Sequence, residues 1–141
     1  MIPDEMIDIA ISIDMSGSIS SQQAKFFLSE VKGIMDEFVE FKIKIWCFDT
    51  QVYAYQEFNT DTADEIYDYE PKGGGGTMFE CNWEFMRENE IEPKRLILFT
   101  DGYPCGTWGE EDYCDTVFII HGPENIKPAF GTYAHYNEGD E

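Results

Sequence analysis

The sequence predicts an α/β domain: a doubly wound, mostly parallel sheet with one antiparallel edge hairpin strand and helices on both faces. Three observations predict it. Apolar segments with strand character at 6–14, 94–100 and 116–121 are separated by segments with helical spacing at 24–38 and 78–89. Two further strand-like segments, 41–48 and 51–58, are joined by a turn too short for a crossover, which forces an antiparallel pair. Finally, the centre of 94–100 (KRLILFT) is apolar without a break, the pattern of a strand covered on both faces.

In residues 6–14 (MIDIAISID), Ile7, Ile9, Ile11 and Ile13 point to one face, and Asp8, Ala10, Ser12 and Asp14 to the other. Small side chains on the second face allow a helix to pack closely, so this is read as a central strand ending at Asp14. The small-residue turn that follows leads into a helix, with Ser20 and Gln23 fitting a capping box. Ala24, Phe27, Leu28, Val31, Ile34, Met35 and Phe38 form its apolar face. The hairpin turns at Asp49-Thr50, and 59–72 is polar with one helical turn around 63–66. Gly73 to Gly76 and Thr77 open the second helix, where Phe79, Trp83 and Met86 share a face. Asp101 closes the strand at 94–100; residues 102–115 read as a long loop or a loop holding a short helix, before the strand at 116–121. The whole chain, 1–141, reads as one domain with its core at about 6–131 and a frayed acidic tail at 132–141.

Charge excludes some functions. With 29 acidic residues against 9 Lys and Arg, the formal charge is −20 and the pI about 4.1. Nucleic-acid phosphate and anionic membrane surfaces are repelled by such a surface, so neither is an expected partner. Aromatic residues at 16% are too abundant for a disordered chain. The sequence has neither a spanning apolar run nor a basic, signal-like N-terminus, and its four cysteines are too scattered for a disulfide scaffold; a cytoplasmic location with free thiols is expected.

In doubly wound sheets ligands bind outside the carboxyl ends of the strands, where the strand order reverses. Asp14 and Asp101 both belong at that edge. Ser16 and Ser18 leave the first strand in DMSGS, and Thr77 follows four glycines. Two carboxylates and three hydroxyls are hard ligands suited to Mg²⁺ or Mn²⁺, and less to Ca²⁺. They leave a divalent ion with waters or an open coordination position, with room for an added anionic ligand. A thiol-based Zn²⁺ site from Cys81, Cys105, Cys114 and His121 is disfavoured, because the Cys105–Cys114 spacing fits no usual ligand pair. GGGGT lacks the Lys of a phosphate-binding loop.

DMSGS at 14–18, Thr77 in GGGGT and Asp101 in FTDG together resemble the metal-ion-dependent adhesion site of von Willebrand factor A (VWA) domains, whose fold is Rossmann-like. The wider run, with IDMSGSIS, KGGGGT and FTDG in order, is most similar to the VWA-like domain at the C-terminus of bacterial and phage-associated metallopeptidases. That likeness spans about 6–131, including Phe48-Asp49 and Phe130-Gly131. The resemblance implies that Ser16 and Ser18 contact the metal directly, that Thr77, Asp14 and Asp101 contact it directly or through water, and that a partner's Asp or Glu fills the open position. It also implies, as partner, an AAA+ ATPase or a peptidase subunit. Met78 departs from the acidic or Asn residue common in relatives at that position. The chain contains no HExxH, so peptidase activity is not expected of it.

The expected function is therefore a metal-dependent protein-binding module rather than an enzyme. Two alternatives stand beside it. Asp14 could act as a Mg²⁺-dependent phosphoryl-accepting nucleophile, as in haloacid-dehalogenase phosphatases, although position 16 is Ser where those carry a second Asp. The domain could also assist a metallopeptidase whose catalytic part is not in this chain. Tyr103, Trp108 and Tyr113, after Asp101, read equally well as partner contacts or as a cover for the sheet edge.

Overall fold

Alternation of β-branched and small residues makes Ile7–Asp14 the first strand, β1. It is followed by helix α1 (Ser21–Met35), the hairpin strands β2 (Phe41–Phe48) and β3 (Val52–Asn59), a 3₁₀ turn (Ala63–Asp68), helix α2 (Glu80–Glu88), and strands β4 (Arg95–Thr100), β5 (Asp115–His121) and β6 (Thr132–Tyr136). These elements come from a computed structural model that describes residues 7–15, 21–38, 40–70, 74–104, 106–121 and 125–136. The expected capping box at Ser20 and Gln23, with Ser16 and Ser18, falls outside the described residues or side chains.

The six strands form one sheet in the order β3-β2-β1-β4-β5-β6. All neighbours are parallel except β2 and β3, which pair antiparallel with a register shift between Ile45 and Cys47. Ala54, opposite that irregularity, takes a positive φ of 56°. The expected doubly wound sheet with an antiparallel edge is thus the observed one. β1 lies between β2 and β4, so successive crossovers leave it in opposite directions and open a crevice at its carboxyl end.

β1 divides the core as its alternation predicts. Ile9, Ile11 and Ile13 join Phe27, Leu28, Val31 and Met35 of α1, together with Ile66 of the 3₁₀ turn. On the other face, Ala10 lies with Trp46, Leu96, Leu98 and Phe118 beneath Trp83 and Met86 of α2. Leu96 to Thr100 are all buried, as a strand covered on both sides must be.

One sequence expectation is corrected in detail, and one alternative is decided. The sheet does not end near 131: Thr132–Tyr136 pair parallel to β5 as a sixth strand, so the expected tail from 132 begins inside the sheet. The strand, TYAHY, was illegible because Thr132 to His135 are exposed or half-exposed on a sheet edge and show no apolar alternation. The segment after Asp101 is loop and turn, with no helix among its described residues.

Gly33 lies inside α1 with open space around the position a Cβ would take. Gly33→Ala is therefore expected to stabilise the domain by about 0.5–1 kcal/mol, since alanine lowers the entropy cost of the helix and meets no neighbour. A rise in the urea midpoint at unchanged slope checks this; a fall would mean the helix is not continuous there.

Candidate functional site

The ends of β1 and β4 bring Asp14 and Asp101 to the same edge. Ile13 pairs with Phe99 in the parallel register, which sets Asp14 beside Thr100 one step later. Asp14 is fully buried, and its Oδ2 accepts a 2.7 Å hydrogen bond from the Thr100 hydroxyl, 86 positions away in the chain. Thr100 Oγ1 accepts in turn from the Gly102 amide at 3.1 Å. Gly102 adopts a φ of +91°, where a Cβ would also come within 2.9 Å of Ile126. The glycine of FTDG is thus required by the turn that carries Asp101. Asp101 itself is half-buried, with its Oδ1 atom enclosed. Thr100, unassigned by the sequence beyond its strand, is a residue that orients Asp14.

Thr77 reaches this edge by a different route. The Met15 amide donates to the carbonyl of Phe48 at 2.8 Å, and the Met78 amide donates to the carbonyl of the next residue, Asp49, also at 2.8 Å. The segments carrying Asp14 and Thr77 are therefore tied to consecutive residues at the end of β2. The Asp49 side chain adds a second tie: Oδ2 accepts from the Gly75 amide at 3.1 Å, while Oδ1 accepts from the amides of Thr50 and Gln51. Burial alone would raise the Asp49 pKa, but the amides of Gly75, Gln51 and Thr50 outweigh it and hold the carboxyl below its ordinary range. The stability this contributes is present above the ordinary carboxylate pKa of about 4 and is lost as pH falls through the lower folded value. Sequence reading took Asp49 only as a turn residue; its long-range partner could not be seen in local spacing.

Of the five predicted ligands, the described residues thus place Asp14 and Asp101 at adjoining strand ends and Thr77 in a loop moored to the same edge. The oxygen donors there suit a hard divalent cation, and the buried, hydrogen-bonded carboxylate of Asp14 is already oriented. The geometry of Ser16 and Ser18 lies outside the described residues.

The family profile of the VWA-like domain (DUF2201) matches residues 9–136, from β1 through β6. The chain belongs to this family. No curated protein matches it. Among solved structures it is similar to the conserved hypothetical protein BatB from Bacteroides thetaiotaomicron, with a TM-score of 0.64 and 12% identity over 93% of this chain and 90% of that one. It is also similar to an aerotolerance-related membrane protein from Bacteroides fragilis carrying multiple mutations to serine, with a TM-score of 0.59 and 13% identity over 81% of this chain and 67% of that one. At such identities these likenesses show the fold alone.

In this VWA-like domain the loop after Asp101 is strapped across α2. Thr107 N donates to Glu80 Oε2 at 3.3 Å, and Arg87 forms an ion pair with Glu110 while lying 5.5 Å from the centre of the Tyr113 ring. The Tyr113 hydroxyl donates to the Ile91 carbonyl at 2.6 Å. Trp108 packs edge-on against Phe79 and Phe118, with ring centres at 5.5 and 5.2 Å. Trp108 and Tyr113 therefore cover the helix and sheet, whereas Tyr103 and Met78 stay exposed beside Asp101 and Thr77 in the chain.

The described cysteines do not gather at this VWA-like edge: Cys81 lies in the first turn of α2, and Cys114 precedes β5 at the amino end of the sheet. Burial, reinforced by the negative charges of Glu84, Asp49, Glu80 and Asp14, pushes the Cys81 thiol up to about 12. Burial likewise raises that of Cys114. Both are held as neutral thiols at neutral pH, which lowers their reactivity as nucleophiles. Among the described residues no group of three or more His, Cys, Asp or Glu side chains is arranged to hold an ion, and Cys105 lies outside them. Nor is any helix among the described residues long and apolar enough to cross a membrane.

Proposed function

We propose that this VWA-like domain is a divalent-metal-dependent protein-binding module. The observation that carries this reading is the convergence at one sheet edge: a fully buried Asp14 oriented by Thr100, the neighbouring Asp101, and a Thr77 loop moored to the end of β2. Asp14, Ser16, Ser18, Thr77 and Asp101 would hold Mg²⁺ or Mn²⁺. Bound there, the ion would supply a Lewis-acidic position for a carboxylate oxygen of a partner protein. Thr100 keeps the Asp14 carboxylate in place, and the Asp49 tie keeps the Thr77 segment near it. The strap over α2 fixes the far side of the loop that begins at Asp101.

The partner is proposed as a protein offering an exposed Asp or Glu, with an AAA+ ATPase or a peptidase subunit as its class and the cytoplasm as the setting. No catalytic role is assigned to the domain. Ser at position 16, where haloacid-dehalogenase phosphatases carry their second Asp, favours this over phosphoryl transfer. The excess negative charge of −20 also favours capture of cations over capture of phosphate esters.

Calorimetric titration of metal-free protein with Mg²⁺ and Mn²⁺ tests the reading. Wild type is expected to bind with one-to-one stoichiometry, and Ser16→Ala and Asp101→Ala to weaken affinity by tenfold or more while leaving the far-UV spectrum unchanged. Binding should also weaken as salt rises, because the surrounding negative field is screened. Wild-type affinity retained in both variants would refute the site. Asp14-dependent turnover of an aryl phosphate would point to the phosphatase alternative instead.

A further inference from the structure

We infer that Asp49 is the positioning residue that holds Thr77 at the carboxyl edge, and so sets the metal affinity of the proposed site without touching the ion. The inference rests on the binding-module reading and adds to it the element that controls the Thr77 loop.

Thr77 sits between two residues that Asp49 grips. On its N-terminal side, the Gly75 amide donates to Asp49 Oδ2 at 3.1 Å; on its C-terminal side, the Met78 amide donates to the Asp49 carbonyl at 2.8 Å. Each of these crosses from the loop to the β2–β3 turn, so one residue spans the loop on both sides of the ligand. Asp49 is in turn fixed from below. Its amide donates to the Gln51 carbonyl at 3.1 Å, and its Oδ1 accepts from the amides of Thr50 and Gln51. Only 5% of its surface is exposed, so water competes weakly for these bonds.

The glycines complete the case. A Cβ on Gly75 would stand 3.0 Å from Asp49 Oδ2, and one on Gly76 would stand 3.5 Å from Thr50 Cγ2. Gly75 lets the backbone approach the carboxylate closely enough to be held by it. A flexible four-glycine run would otherwise leave Thr77 with a large ordering cost to meet when an ion binds. Held at both sides, the loop is ordered beforehand, and binding keeps the affinity that ordering would consume.

The two carboxylate oxygens have separable duties, which makes the inference testable. In Asp49→Asn the oxygen serving the Thr50 and Gln51 amides is retained, while an NH₂ group faces the Gly75 amide and cannot accept from it. Amide hydrogen exchange by NMR on the full chain, without metal, is expected to show the Gly75 amide exchanging tenfold faster or more while Gln51 stays protected. The Thr77 methyl order parameter should fall at the same time. In Mg²⁺ titrations Asp49→Asn should weaken binding to a similar extent as Thr77→Ala, and the double variant should be no weaker than the weaker single one.

Gly75→Ala leaves the carboxylate intact and pushes the loop from the other side, so it should also lower Thr77 order and Mg²⁺ affinity even if Asp49→Asn folds poorly. Multiplicative losses in the double variant, or unchanged Gly75 exchange and Thr77 order in these variants, would overturn the role of Asp49. If wild type takes up no Mg²⁺, the binding-module reading falls separately. Loop exchange and Thr77 order then decide, without any metal, whether Asp49 is the mooring.

Discussion

Gly109→Ala is expected to destabilise the domain by about 3 kcal/mol or more, from backbone strain and overpacking together. Gly109 has a φ of +119°, a region that residues with a Cβ rarely adopt. A methyl group there would overlap three atoms of the Trp83 indole, the farthest of them 2.6 Å away. Trp83 cannot retreat easily: it is fully buried in α2 and meets the Phe130 ring at 6.4 Å between centres. The strap must lift instead, straining the Arg87–Glu110 ion pair and the Tyr113 hydrogen bond to Ile91. A loss of 3 kcal/mol is a large part of the 5–15 kcal/mol that holds a domain of this size folded. Urea unfolding followed by tryptophan emission should show both a lowered midpoint and a native-state shift, because lifting the strap wets Trp83. A variant within about 0.5 kcal/mol of the parent would show that the strap does not rest on Trp83.

Asn82→Ala is expected to cost about the same, for a different reason. The Asn82 Oδ1 atom accepts from the Ser12 hydroxyl at 2.5 Å and from the Trp46 indole at 2.7 Å, while its Nδ2 donates to the Phe79 carbonyl at 2.9 Å. All of these residues are fully buried. Alanine would strand two buried donors, the Ser12 hydroxyl and the Trp46 indole, at roughly 1–3 kcal/mol each, while the Phe79 carbonyl keeps the backbone amide of residue 82 at 3.0 Å. The bonds also join β1 and β2 to the first turn of α2, next to Thr77, so their loss should loosen the site as well as the core. Ser12→Ala made in the Asn82→Ala background should cost much less than in wild type, since the donor it removes has already lost its acceptor. Equal costs in both backgrounds would mean that the pair is not coupled.

Both sites show why some features were legible in the sequence and others were not. The small face of β1 was read as a surface for close helix packing, and Ser12 does face α2. That Ser12 would meet Asn82, 70 positions later, was not legible, because a polar residue in a helix looks solvent-directed until its partner is known. Trp108 and Tyr113 could be partner contacts or cover from sequence alone; their packing on Phe79, Phe118 and Ile91 decides for cover. β6 escaped notice because a mostly exposed edge strand carries little periodicity, and it was found only through its pairing with β5.

Local patterning thus determined the elements: period-two alternation in β1, period-3.6 spacing in α1 and α2, and a turn too short for anything but a hairpin. The motif residues marked the sheet edge where a ligand belongs. Tertiary structure alone decided how that edge is held, through Thr100 on Asp14 and Asp49 on the Gly75 and Met78 amides. The physical reason is that side-chain periodicity reports which face a residue turns inward, whereas a buried hydrogen bond depends on two distant segments arriving within about 3 Å of each other, and nothing local encodes that meeting.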